Sequence, residues 1–164
     1  MSGKNIDILS TDEPVATVAP GLIYRLPNDL QYEHSASIVR GDSMEGETML
    51  ARFAERGLPQ PMLDAGFKRI GDFWEPWCVV VERDEIASIA FAARLGDLGA
   101  ELGVYTFPAF RTQGFAAAVT ASWSSLPRLK GRALFYSTAR SNRSSQRVTA
   151  RLGLRMIGAS VSVG

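Results

Sequence analysis

Arg111-Thr112-Gln113-Gly114-Phe115-Ala116 sets a guanidinium three residues before a glycine and a small side chain two residues beyond it. At the opening of a helix, that spacing suits a phosphate-rich ligand. The first amides of a helix have no intrahelical acceptor, and the macrodipole adds positive potential at the same end. Gly114 lets the backbone approach closely, Arg111 offers a fixed charge to phosphate oxygens, and Ala116 leaves room above the amides of residues 112–116. Further on, Asn142 and Ser145 stand three residues apart before a second helical run. A side-chain amide at Asn142 can contact a ligand or fix the turn that opens that helix.

The elements that must position these groups are legible around them. Glu101 to Phe107 is a β-leaning run halted at Pro108, which biases its predecessor toward extended backbone and cannot donate to a ladder. The Arg111 turn then feeds a helix from Phe115 to Trp123, rich in small residues that allow close packing. Ala133 to Thr138 is strand-like, Arg143 to Leu152 has helical spacing, and Gly153 ends it. Arg-x-x-Gly-x-Ala alone also describes an ordinary strand-to-helix loop. The order of elements on both sides of it is what makes the pattern specific.

Over residues 101–158 this order resembles the GNAT superfamily of acyl-CoA N-acyltransferases. The family's pyrophosphate loop is [Gln/Arg]-x-x-Gly-x-[Gly/Ala], and its next helix opens with Asn-x-x-[Ala/Ser] and closes near Leu-Gly-Phe, here Leu152-Gly153-Leu154. The resemblance implies an α/β (α+β) fold, with a mixed, mostly antiparallel central sheet flanked by helices and a splayed central parallel strand pair. It implies one domain over 1–164, with acetyl-CoA as acyl donor, no metal, and a primary amine on a small molecule or polypeptide as acceptor.

A thioester is already activated, so such an enzyme mainly holds the carbonyl and presents a neutral amine to it. By resemblance, the strand carrying Tyr105, Thr106 and Phe107 splays from the one ending at Thr138. Its free backbone groups then hold the pantetheine arm and polarise the acyl carbonyl. The resemblance also makes Glu101 the best-placed general base, against the alternative that it forms a cross-strand or capping contact. Relatives carry a Tyr seven residues after the helix-opening Asn to protonate the leaving thiolate; here that position is Thr149. Threonine is a poor acid, which leaves the thiolate, with a pKa near ~8.5, to solvent or to Tyr105 or Tyr136. The same departure supports a second reading, a non-catalytic acyl-CoA binding or sensing module.

The rest of the chain bounds the answer. With 164 residues and 46% hydrophobic content, it suits a single globular unit burying roughly two-thirds of its unfolded surface. A net charge of +1 gives no footprint for nucleic acid or a membrane. Cys78 is the only cysteine, so neither an internal disulfide nor a thiolate metal cluster is expected. Residues 1–13 lack an apolar leader and no run is long enough to span a bilayer, so a cytoplasmic enzyme is expected.

Gly21 to Leu26 reads as a first strand, and Trp77 to Glu82 with Ile86 to Ala93 as a hairpin. Asp42 is placed to cap a helix with Met49, Leu50, Phe53 and Ala54 on its apolar face, ended by Gly57. A shorter helix is expected over Met62 to Ile70, with Leu63, Phe67 and Ile70 inward; in the family, helices here wall the acceptor site. Phe73, Trp74 and Trp77 are candidates for an aromatic acceptor pocket, with a core role as the alternative. His34, the single histidine, reads as a loop residue because no Gly-x-Ser-x-Gly elbow accompanies it. After Gly158 there is room for one short strand where the family has two, so the N-terminal segment or a second subunit of a homodimer would cover the sheet edge.

Overall fold

The computed structural model describes residues 18–163, and their side chains from 21 to 159. Residues 1–17, on which the expectation about a leader rests, lie outside the described residues. Seven strands form one sheet: β1 Val18–Leu26, β2 Ser37–Arg40, β3 Cys78–Glu82, β4 Glu85–Leu95, β5 Gly99–Thr106, β6 Ala133–Ala139 and β7 Arg155–Val163. Their order is β2-β3-β4-β5-β6-β1-β7, and only β5 and β6 run parallel. The helices are α1 Met44–Arg56, α2 Gln60–Asp64, α3 Phe115–Ser124 and α4 Arg143–Arg151. This is the expected mixed, mostly antiparallel sheet with flanking helices.

The strand β1 lies between β6 and β7 and pairs antiparallel with both. The neighbour of β6 is thus a segment far away in sequence. β7 itself begins at Arg155, earlier than expected, and pairs with β1 at eight positions, with a register shift between Ile23 and Tyr24. The N-terminal strand thus lies inside the sheet, and β7 and β2 are its outer strands.

The sheet is packed on α3, which crosses β3, β4 and β5 and is buried nearly all round. Its small residues allow that approach. Trp123 donates its indole N–H to the Pro76 carbonyl at 2.9 Å, and the buried Cys78 thiol lies 3.6 Å from the Val119 carbonyl. Burial pushes the Cys78 thiol far above its usual range, as expected of a core strand residue. Along the flank of α3, Ala117 and Ala121 meet Val148 of α4 and Leu152 just after it.

Three local expectations need correction. The cap of α1 is Ser43, whose hydroxyl accepts from the Gly46 amide at 3.0 Å. Asp42 is instead drawn into a two-point contact with Arg40 at 2.9 and 2.7 Å, and Ala54 is exposed. The second helix stops at Asp64: Pro61 fixes its first turn, and Gly66, at φ +101°, breaks it. That shift turns Met62 inward, 1% exposed, and leaves Leu63 outside at 42%.

Phe67 sits amid Phe73, Phe91 and Phe107 at ring separations of 6.0–6.5 Å. Phe73 and Trp77 are buried in that core, and Trp74 stacks edge-on to Phe91 with half its surface exposed. Phe73 and Trp77 take the core role, and none of the three lines the large cavity beside β5. His34 is an exposed loop residue whose Nδ1 accepts from the Ala36 amide. No described helix is long and apolar enough to cross a membrane.

Candidate cofactor and acceptor site

The site begins where the parallel pair comes apart. β5 and β6 are in register from Gly99–Ala133 to Leu102–Tyr136, and among the described residues the pairing stops there. Gly103 to Thr106 therefore have no strand partner on the β6 side. The Phe107 amide donates to the Ala87 carbonyl at 2.9 Å, toward β4. Because backbone groups alternate in direction along a strand, the N–H and C=O of Val104 and Thr106 face the gap.

At the same end of the sheet, the loop after β5 delivers α3. Gly114 is its N-cap at φ +81°, in the left-handed region that glycine adopts at no steric cost, and no side chain caps the helix. Among the described residues, the amides of Thr112 to Ala117 have no backbone or side-chain acceptor; the first helical bond runs from Ala118 to Gly114. Thr112 also holds a left-handed backbone, φ 65°, a strained state for a β-branched residue. Phe115 turns its ring into the core against Phe110, so only its amide serves the loop; Gln113 is exposed and Ala116 half-buried. Uncapped amides of this kind could hold a pyrophosphate, and a Cβ on residue 114 would meet the Arg151 guanidinium.

Two guanidinium groups attend the loop. Arg111 folds back over β5: its Nε donates to the Thr106 carbonyl at 3.1 Å, its Nη2 to the Tyr105 hydroxyl at 3.4 Å, and it lies over the Tyr105 ring. Arg151, from the last turn of α4, brings Nη1 to 3.0 Å from where a Cβ on residue 114 would stand. Sequence reasoning missed Arg151. Its signal was the Arg143, Arg147, Arg151 series at four-residue intervals, which marks one helix face as basic.

Asn142 caps α4: its Oδ1 accepts from the Ser145 amide at 3.0 Å. The Ser145 hydroxyl is 2.7 Å from that of buried Tyr136, whose phenol is pushed up by burial and held back in part by this bond. Thr149 is buried, 2% exposed, and donates to the Gln146 carbonyl of its own helix at 2.7 Å. Glu101 forms an ion pair with Arg94 at 3.7 Å, on the paired side of the point where β5 and β6 separate. So the structure brings Tyr105, Thr106, Phe107 and residues 111–116 together at one end, with Asn142, Ser145 and Thr149 on the adjoining helix α4.

Beside the open end of β5 lies a cavity of about 860 Å³. Helices α1 and α2 form one wall through Met49, Phe53 and Met62, and Tyr105, Phe107 and Phe110 form the other. Tyr105 is common to the cavity and to the Arg111 contact, so cavity and loop meet at its ring. Among the described residues no group of three His, Cys, Asp or Glu side chains is arranged to hold a metal.

Solved structures share this fold. A GNAT-family protein from Novosphingobium aromaticivorans superposes on 90% of this chain with a TM-score of 0.61 at 21% identity. The fold is that of the GNAT superfamily. An acetyltransferase of the GNAT family from Colwellia psychrerythraea covers 90% of this chain with a TM-score of 0.57 at 20% identity, and a GCN5-related N-acetyltransferase from Kribbella flavida covers 91% with 0.57 at 17%. At these identities the likeness is one of fold. The chain spans 64%, 56% and 59% of the lengths of these three GNAT structures. No family model and no curated protein matches it.

Proposed function

We propose that this GNAT-fold chain is an N-acetyltransferase that moves an acetyl group from acetyl-CoA to a primary amine by direct attack. The observation that carries the reading is the coincidence, at one end of the sheet, of the β5/β6 gap and the uncapped α3 amides. The amides of residues 112–116, with Arg111 and Arg151, are suited to the pyrophosphate. The outward backbone groups of Val104 and Thr106 are suited to the pantetheine arm and the acyl carbonyl. Arg111 would leave the Thr106 carbonyl to meet phosphate, freeing that carbonyl for the arm.

The amine must reach the thioester as a neutral nucleophile, and the departing thiolate must gain a proton. Of the two tyrosines, Tyr105 is the better donor, since it borders the cavity while Tyr136 is buried against Ser145. Glu101 stays the proposed base only if its contact with Arg94 opens. Thiol release from acetyl-CoA over an amine panel tests the reading: turnover with at least one amine is expected, and none would count against it. The second reading, an acyl-CoA sensing module, is favoured by the partners of Thr149 and Glu101, which leave neither group a free role in proton transfer. Coenzyme A binding with no turnover would select it.

A further inference from the structure

The transferase reading leaves the acceptor open between a small molecule and a polypeptide, and the cavity beside β5 narrows that choice. We infer that it takes a small primary amine with an apolar body, drawn in as an ammonium ion by an acidic rim; as an acceptor assignment, this rests on the transferase reading. The volume, about 860 Å³, is that of a small-molecule site. Its floor is apolar: Met62, Phe107 and Phe110 are 1%, 2% and 5% exposed. Unbranched Met49 and Met62 can adapt to an alkyl or aryl body.

The rim carries charge from three separate elements. Glu45 stands in the first turn of α1, Asp64 at the end of α2, and Asp84 and Glu85 at the β3–β4 turn. Among the described residues none of the four is in an ion pair; Asp64 only accepts from the Gln60 amide at 2.8 Å. Arg52 is the one basic residue in the lining, so the rim is net negative. A polypeptide backbone would set unsatisfied amides against the apolar walls, whereas an alkyl ammonium satisfies wall and rim together. In the transfer, the ammonium loses one proton to water and its nitrogen then bonds to the acyl carbon. The carbon–sulfur bond breaks, the Tyr105 phenol protonates the thiolate, and the second nitrogen proton restores the phenol, giving an amide, a thiol and one released proton.

The test is calorimetric titration with hexylamine, ethylamine, hexanol and the tripeptide Gly-Lys-Gly, with coenzyme A titrated separately. Hexylamine should bind at least tenfold more tightly than each of the other three. The double variant Asp84→Asn, Glu85→Gln should weaken hexylamine about tenfold and leave hexanol unchanged; both sites are exposed, and asparagine tolerates the φ of 63° at residue 84. Equal binding of hexanol, tighter binding of the tripeptide, or no change in the double variant would overturn the inference. Coenzyme A binding without a hexylamine preference would leave the transferase reading standing and the inference lost. Hexylamine binding without coenzyme A binding would keep the cavity as an amine site and remove the transferase reading.

Discussion

Arg151 crosses from α4 to occupy the space a side chain on residue 114 would need, with Nη1 3.0 Å from that Cβ position. The two residues are therefore coupled. Gly114→Val should cost about 1–2 kcal/mol for its left-handed backbone, displace Arg151 and abolish most coenzyme A binding. Arg151→Ala should leave the fold intact, weaken coenzyme A several-fold and flatten the salt dependence of its affinity. Thermal melts with calorimetry at two salt concentrations separate these outcomes. Equal affinity in both variants would detach the α3 loop from the cofactor.

Tyr105 links loop and cavity, so Tyr105→Phe tests its proton. Loss of the hydroxyl should lower kcat by about 10- to 100-fold at the low end of general-acid effects, with KM for acetyl-CoA little changed. Unchanged kcat would assign the thiolate proton to water.

Asn142 is a helix cap in this fold. Asn142→Ala should lower stability by about 1 kcal/mol, while coenzyme A affinity per folded molecule stays within a few-fold. Chemical denaturation paired with calorimetry checks both. A large affinity loss at unchanged stability would give the amide a direct ligand contact.

Thr149 spends its hydroxyl proton inside α4. Thr149→Ala should change kcat by less than about threefold, and Thr149→Tyr, set in a site only 2% exposed, should destabilise by about 1–3 kcal/mol from overpacking. Steady-state kinetics and melting curves decide. A hundredfold loss in Thr149→Ala would place the hydroxyl in the transition state.

What was legible in the chain follows from how local each signal is. The run from Glu101 to Leu154 announces itself because Pro108, Gly114, Asn142 and Gly153 punctuate it at fixed offsets. Ser43 and Asp42 are both good caps, and only the pull of Arg40 on Asp42 decides between them. β2, four residues with one buried side chain, has too little alternation to read. The insertion of β1 between β6 and β7 is a long-range pairing that no local pattern encodes, and the same holds for Arg151 reaching Gly114.

The central claim is that coenzyme A docks on the N-terminus of α3, and backbone NMR of the ¹⁵N-labelled protein tests it most directly. Titration with coenzyme A should move the amides of residues 112–117 most, followed by Val104 and Thr106 in the β5/β6 gap. Shifts centred elsewhere on the sheet, or none at millimolar ligand, would contradict it.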